Sequence, residues 1–352
     1  MMGNQSQKYT GYIGTYTKGD SQGIYRFTLD PNEGKITTPA LAAELKDPTY
    51  VTISEDKKHL YAILKEEGSG GISAYSIDEE SGELSYLGKQ LTPNGSYCHI
   101  SINSDKNVIA TANYGDGIIE TYKLDPDFIP SGVTSTVRHT GKGPNKERQE
   151  KAHAHYAGFT PDEKFIVVVD LGIDQINTYE IHNGSLEKVN SLTVTPGSGP
   201  RHLTFHPNGK IAYVVAELAP EVIVLAYDNR NGSFSELQTI RTTPENFQEN
   251  NQGSAIHISS DGKFVYAANR GHNSIAVFQT DEQTGKLTLV ELVSTEGNWP
   301  RDFSLDPSEK FLVASNEESG NLTLYSRNEE SGKLTLLQKD IKVPFPVCVK
   351  FL

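Results

Sequence analysis

Ser259-Ser260-Asp261-Gly262-Lys263 is a tight polar turn between two apolar strands, and the chain writes the same turn five more times. The other copies are Ser54-Glu55-Asp56-Lys57-Lys58, Asn103-Ser104-Asp105-Lys106-Asn107, Thr160-Pro161-Asp162-Glu163-Lys164, His206-Pro207-Asn208-Gly209-Lys210 and Asp306-Pro307-Ser308-Glu309-Lys310. Their last residues lie 49, 57, 46, 53 and 47 positions apart. Each turn follows a strand that starts after a Pro or a small residue, and each leads into a strongly apolar second strand. A period near 50 built from strands implies a propeller, because each repeat is a small sheet that buries its faces only by stacking on its neighbours.

The two ends complete the count. Residues 9–30 (YTGYIGTYTKGDSQGIYRFTLD) read like the back part of a repeat, as 266–281 (YAANRGHNSIAVFQTD) do, and 344–352 (PFPVCVKFL) read like a first strand alone, as 299–305 (WPRDFSL) do. The expected fold is therefore all-β: a seven-bladed β-propeller of four-stranded antiparallel blades, six continuous and one closed by the N- and C-terminal strands. Closure removes free sheet edges. The repeat runs end to end without a linker, so a single domain over 1–352 is expected.

Composition narrows the function. The opening MMGNQSQKYTG has no apolar core of a signal peptide, and no apolar run approaches the ~18 residues of a membrane span, so a cytoplasmic protein is expected. A formal charge of −13 argues against nucleic acid, which needs a basic face. Cys98 and Cys348 open first strands of blades separated by another blade, so free buried thiols are expected rather than a disulfide. No G-x-S-x-G elbow, Walker A loop or dinucleotide fingerprint occurs, and no Trp-Asp or paired-glycine blade signature repeats.

Topology locates the candidate site. If the polar turns lie at one end of the propeller, first strands begin and second strands finish at the other end, near the axis. The first-strand ring there includes Thr49/Tyr50, Cys98/His99, His155/Tyr156, Arg201/His202, Ser254/Ala255, Arg301/Asp302 and Val347/Cys348. The second-strand ring includes Thr15/Tyr16, Leu64/Lys65, Asn113/Tyr114, Asp170/Leu171, Ala216/Glu217, Asn269/Arg270 and Asn316/Glu317. Equivalent positions of a purely structural repeat would carry similar residues, yet His155, Arg201, Glu217, Arg270 and Arg301 stand where small or apolar groups would pack. Converging charges at a channel mouth read as a binding site.

Two long loops, 141–155 (GKGPNKERQEKAHAH) before the third blade and 241–255 (RTTPENFQENNQGSA) before the fifth, fall on the same rim and exceed the usual ~4–6 residues. His153 and His155 are two apart, so in an extended strand both imidazoles face the mouth. A metal reading would need a third ligand from His99, His202 or Glu217. Arg201 and Arg270 in the same site would repel a cation, so acid/base work is the expected role and neither metal nor organic cofactor is expected.

With these residues the chain resembles the seven-bladed lactonases, a family whose members hydrolyse 6-phosphogluconolactone or cyclise 3-carboxy-cis,cis-muconate. The resemblance spans essentially the whole chain. It is carried by Tyr12-Ile13-Gly14-Thr15-Tyr16, Ala112-Asn113-Tyr114-Gly115, Gly143-Pro144-Asn145 with Arg148-Gln149-Glu150, His153-Ala154-His155, Gly199-Pro200-Arg201-His202, Asn269-Arg270-Gly271-His272-Asn273-Ser274 and Pro300-Arg301-Asp302-Phe303. Two departures are Ala216, where the family pattern has Asn before the glutamate, and Tyr97-Cys98-His99 in place of Pro-Cys-His. What the resemblance implies is a catalytic set of His153, Arg201, Glu217 and Arg270. The expected roles are His153 as general base, with His155 or Glu217 orienting it or the water, and one of Arg201 and Arg270 at the oxyanion, while the other, helped by Arg301 or a loop cation, grips the phosphate. Around them His99, His155, His202, His272, Arg301, Asp302 and Arg148 are candidate substrate-binding residues.

The expected activity is hydrolysis of an anionic sugar lactone, 6-phosphogluconolactone to 6-phosphogluconate in the pentose phosphate pathway, by a monomer. A muconate-type cycloisomerase is the alternative enzyme, separable by whether genome neighbours serve sugar phosphates or aromatic catabolism. A non-catalytic binding propeller is the alternative of another class. It predicts an exposed aromatic or apolar patch, for which the chain offers a single Trp, Trp299.

Overall fold

The computed structural model describes residues 7–93, 95–105, 107–182 and 185–352. The opening MMGNQS and Lys106 of the second repeated turn lie outside the described residues. Seven antiparallel sheets follow one another around a central axis. Six are continuous: 51–92, 97–138, 154–193, 200–241, 252–294 and 300–342, here the first to sixth blades. In the closing blade the C-terminal strand Pro346–Phe351 pairs antiparallel with Tyr9–Thr15, which pairs with Gly23–Asp30; the outermost position is shared by Lys35–Ile36 and Ala40–Glu44. Among the described residues no helix is long and apolar enough to cross a membrane.

The apolar second strands are explained by burial on both faces. Phe165–Asp170, Ile211–Ala216 and Phe311–Asn316 are buried at every residue. Within Ile211–Ala216, Ile211, Tyr213 and Val215 pack against Val265 and Ala267 of the fifth blade, while Ala212 and Val214 pack against Val167 and Val169 of the third. Side chains alternate by period two, so each second strand serves two neighbouring blades at once.

Polar latches fasten successive blades. The Tyr12 hydroxyl donates to Gly82 O of the first blade (2.7 Å), Tyr61 to Phe128 O of the second (2.9 Å), Tyr213 to Gly285 O of the fifth and Tyr266 to Gly332 O of the sixth (both 2.8 Å). Thr178 of the third blade donates in the same way to Gly232 O of the fourth, at 2.7 Å. Every acceptor lies in the turn between a blade's third and fourth strands. Tyr213→Phe removes one latch and strands a buried carbonyl, so it should destabilise the protein by about 1–3 kcal/mol in urea unfolding without moving the site.

The top of each inner strand is irregular, and this places the site. In six blades the pairing between first and second strands slips by one or two residues there. Ala154 pairs with Asp170 and Tyr156 with Val169, so His155 has no partner; Arg201 and Arg301 are skipped in the same way. Such bulges re-aim the extra side chain. Just before two of these strands stand Trp299 (φ 67°) and Phe345 (φ 45°), left-handed residues preceding Pro where the fourth blade uses Gly199 (φ 59°). A bulky residue held in that region costs about 1–3 kcal/mol and persists only where its surroundings enforce it.

Candidate active site

A cavity of about 380 Å³ opens at the end of the axis away from the repeated turns. Its wall includes Tyr16, Lys65, Cys98, Tyr114, Arg148, His155, Glu217, Gln252, Arg270, Trp299 and Arg301. A narrow continuation down the axis is lined by Tyr50, Arg201, His202, Arg301 and Asp302 among others.

Glu217 is the hub. It is 3% exposed, and three arginines from separate elements meet it. Arg201 Nε donates to Oε2 at 3.1 Å, Arg270 Nη2 lies 3.0 Å from the same oxygen, and Arg148 Nη2 donates to Oε1. Backbone carbonyls hold the remaining side of the guanidinium groups: Arg201 Nη1 donates to Ser254 O, and Arg270 donates from Nη2 to Gly253 O (2.8 Å) and from Nε to Gln252 O (3.3 Å). Among the described residues no hydrogen bond engages Arg270 Nη1, and the guanidinium, which lines the cavity, lies 5.5 Å over the Trp299 ring.

Glu217 offsets part of the arginine charge gathered here. Burial alone would raise the Glu217 carboxyl, but Arg270 and Arg201, with His155 and Arg148, hold it well below the usual carboxylate range. Burial also works against the Arg201 and Arg270 charges, and Glu217 is the counter-charge that sustains them. Burial first, then Arg201, presses the His155 imidazole well below its ordinary value; His202 is lowered likewise and His99 to about 3, again by burial first. These imidazoles are neutral at pH 7. His155 Nδ1 is buried without a hydrogen-bond partner among the described residues. Burial pushes the Cys98 thiol up to about 12, which excludes a thiolate nucleophile at neutral pH, and both cysteines are free.

The loop 141–155 is pinned. Gln149, fully buried, donates from Nε2 to Leu171 O (2.9 Å) and Asp174 Oδ1 (2.8 Å), while its Oε1 accepts from Asn145 N–H (3.2 Å). Asp174 also accepts from Gly197 and Gly199 N–H, each at 2.8 Å, tying the loop to the start of the fourth blade. Arg148 is thereby presented to Glu217. Gln149→Ala should cost about 1–3 kcal/mol in stability by stranding these partners and should raise the trypsin sensitivity of the loop, measured by limited proteolysis.

The rim residues anticipated from sequence are not all brought together. Arg148, His155, Glu217, Arg270 and Arg301 line the cavity, and Arg201, His202 and Asp302 line its continuation. His153, expected to face the mouth beside His155, does not. Its Nδ1 donates to Tyr114 O (2.8 Å), its Nε2 faces Glu150 Oε1 at 3.1 Å, and its ring stacks on Tyr114 at 4.3 Å. The physical reason is the bulge at His155: one unpaired residue breaks the period of two. His99 stands in the axial stack between Tyr50 and Tyr156, each 4.5 Å away. His272 is turned to Ser274 Oγ (2.7 Å) and Phe247, away from the cavity. Gln252 and Ser96 join the wall without having been singled out; Gln252 lies within the long loop 241–255, and Ser96 stands two residues before Cys98 of the first-strand ring.

Among the described residues no exposed aromatic patch marks the rim. Trp299 is half-buried against Arg270, and the exposed large hydrophobics, such as Leu41, Tyr86, Val133, Val189, Leu237 and Leu289, lie on the outermost strands of different blades.

Fold and cavity define a seven-bladed propeller with a cationic, carboxylate-anchored site at one mouth. The family model for the seven-bladed β-propeller lactonases matches residues 10–351, and the chain belongs to that family. It is 52% identical over 345 residues to the 6-phosphogluconolactonase of Bacillus subtilis (strain 168), covering 98% of this chain and 99% of that one. Among solved structures, a protein from Lactobacillus plantarum superposes with a TM-score of 0.94 at 40% identity, covering 98% of this chain and all of the other (100%). A periplasmic gluconolactonase of Pseudomonas aeruginosa superposes with a TM-score of 0.92 at 29% identity, over 98% and 99% of the two chains.

Proposed function

We propose that this protein hydrolyses a phosphorylated sugar lactone, 6-phosphogluconolactone to 6-phosphogluconate. The observation that carries the reading is the clamp of Arg270, Arg201 and Arg148 on buried Glu217 beside a neutral His155, in one cavity. The near-full-length identity to a chain named for this activity supports the same substrate.

Lactone hydrolysis needs a base for the attacking water, a donor for the carbonyl oxygen as it becomes an oxyanion, and an acid for the leaving ring oxygen. His155 suits the first and third tasks. It takes the water proton as the C–O bond forms, then returns it to the ring oxygen as the ring C–O bond breaks. Burial lowers its proton affinity, so its conjugate acid readily protonates the leaving alkoxide, while the negative charge developing on the attacked lactone favours its taking the water proton. Arg270 Nη1 suits the oxyanion, because Glu217 and two carbonyls fix the guanidinium in advance of the reaction. Glu217 acts through the arginines. The base is assigned to His155 and not His153, whose ring nitrogens both face acceptors behind the wall.

The wall is complete within one chain, so a monomer suffices. A dianionic sugar phosphate does not cross a lipid bilayer unaided, which supports a cytoplasmic enzyme acting where such a substrate is made. The test is hydrolysis of freshly generated 6-phosphogluconolactone over its spontaneous background: a rate well above background that His155→Ala loses is the expected result. No acceleration by folded protein would overturn the reading.

A further inference from the structure

Three of the cavity's arginines are committed to Glu217, and each presents at most a fixed edge to a ligand. Arg301 is different. Its one side-chain hydrogen bond among the described residues is a 3.5 Å contact from Nη1 to Glu317 Oε2, and its guanidinium lies 5.3 Å over the Tyr16 ring. It is the skipped residue of its bulge, so it turns into the cavity and keeps most of its five donors free. Lys65, exposed on the same wall, has no ion-pair partner among the described residues.

The cavity's charged residues come from two stretches of the ring, which meet where Arg201 and Arg301 both line the axial continuation. Arg148, His155, Arg201, Glu217 and Arg270 come from the third to fifth blades and the loop before the third. Arg301, Tyr16 and Lys65 come from the sixth, closing and first blades, which are consecutive around the ring. A ligand that reacts at one end and carries a charge at the other therefore meets clamped arginines on one side and free cations on the other.

We propose that Arg301 and Lys65 form the subsite for the substrate's phosphate monoester, making Arg301 the residue that selects phosphorylated over neutral lactones. The assignment rests on the lactone-hydrolase reading above. A free planar fork pairs with two phosphate oxygens, and an ammonium supplies the second charge that a dianion needs. A clamped guanidinium with one free edge suits a single oxyanion instead.

The experiment compares 6-phosphogluconolactone with unphosphorylated glucono-1,5-lactone for the wild type, Arg301→Gln and Lys65→Met. Arg301→Gln should lower kcat/KM for the phosphorylated lactone at least about thirtyfold, mostly through KM, and the ratio of kcat/KM between the two lactones should fall at least about tenfold. Lys65→Met should move the ratio the same way by about threefold to tenfold. An equal loss on both lactones would overturn the proposal, since Arg301 would then serve the chemistry or the fold. Inorganic phosphate titrated calorimetrically gives a readout independent of turnover. Binding weakened at least about tenfold by Arg301→Gln supports the subsite; binding that is absent, or indifferent to Arg301, overturns it. Wild-type protein that hydrolyses neither lactone would sink the lactonase reading while the phosphate titration still decides the subsite.

Discussion

Arg270→Ala is expected to lower kcat/KM for 6-phosphogluconolactone by about a hundredfold to a thousandfold, with the loss mainly in kcat. One oxyanion donor is worth about 2.7–4 kcal/mol when it is fixed in advance and shielded from water. Arg270 meets both conditions: Glu217 Oε2, Gly253 O and Gln252 O hold it on one side, Trp299 covers its face, and it is 3% exposed. Because Arg148 and Arg201 still meet Glu217 in the variant, the carboxylate stays paired and the fold should survive, which circular dichroism and urea unfolding would show. Steady-state kinetics decide the matter. A loss smaller than about tenfold, roughly 1.4 kcal/mol, from a folded variant would remove Arg270 from the transition state.

Glu217→Gln should do more damage, and to two properties at once. Three guanidinium groups gather on this carboxylate, two of them deeply buried, so neutralising it leaves like charges facing one another out of water. Breaking a buried ion pair from one side costs about 3–5 kcal/mol, and a larger network does not make the loss smaller. Activity should fall at least about a hundredfold, because the oxyanion donor loses its anchor.

The pH dependence separates this electrostatic role from simple packing. The folded-state pKa of Glu217 is depressed below the ordinary carboxyl value of 4.5. Its stabilising contribution is therefore fully present above that value and is lost as pH falls below it toward the depressed folded value. The wild type should lose stability steeply below about pH 4.5, and Glu217→Gln should be less stable at pH 7 yet flatter across that acid range. Urea unfolding at pH 7 and pH 4 measures both slopes. Parallel pH profiles for the two proteins would show that Glu217 carries no such linkage.

The repeat, the strand order within each blade and the closure by both termini were legible in the chain, because they depend on a local signal: a tight polar turn between apolar strands at a period near 50. The rim was legible too. Once the turns are assigned to one end, topology carries Arg201, Glu217, Arg270 and Arg301 to the other, whatever the side chains do there. The tertiary structure decided which of them meet. Period-two alternation put His153 and His155 on one face, but the unpaired residue at His155 turned only that imidazole into the cavity. Bulges form where inner strands crowd the axis, a long-range condition that no local pattern records. The convergence of three arginines on Glu217, and the buried Gln149 that delivers one of them, likewise join residues far apart in the chain. Local chemistry set the blades, and packing around the axis set the site.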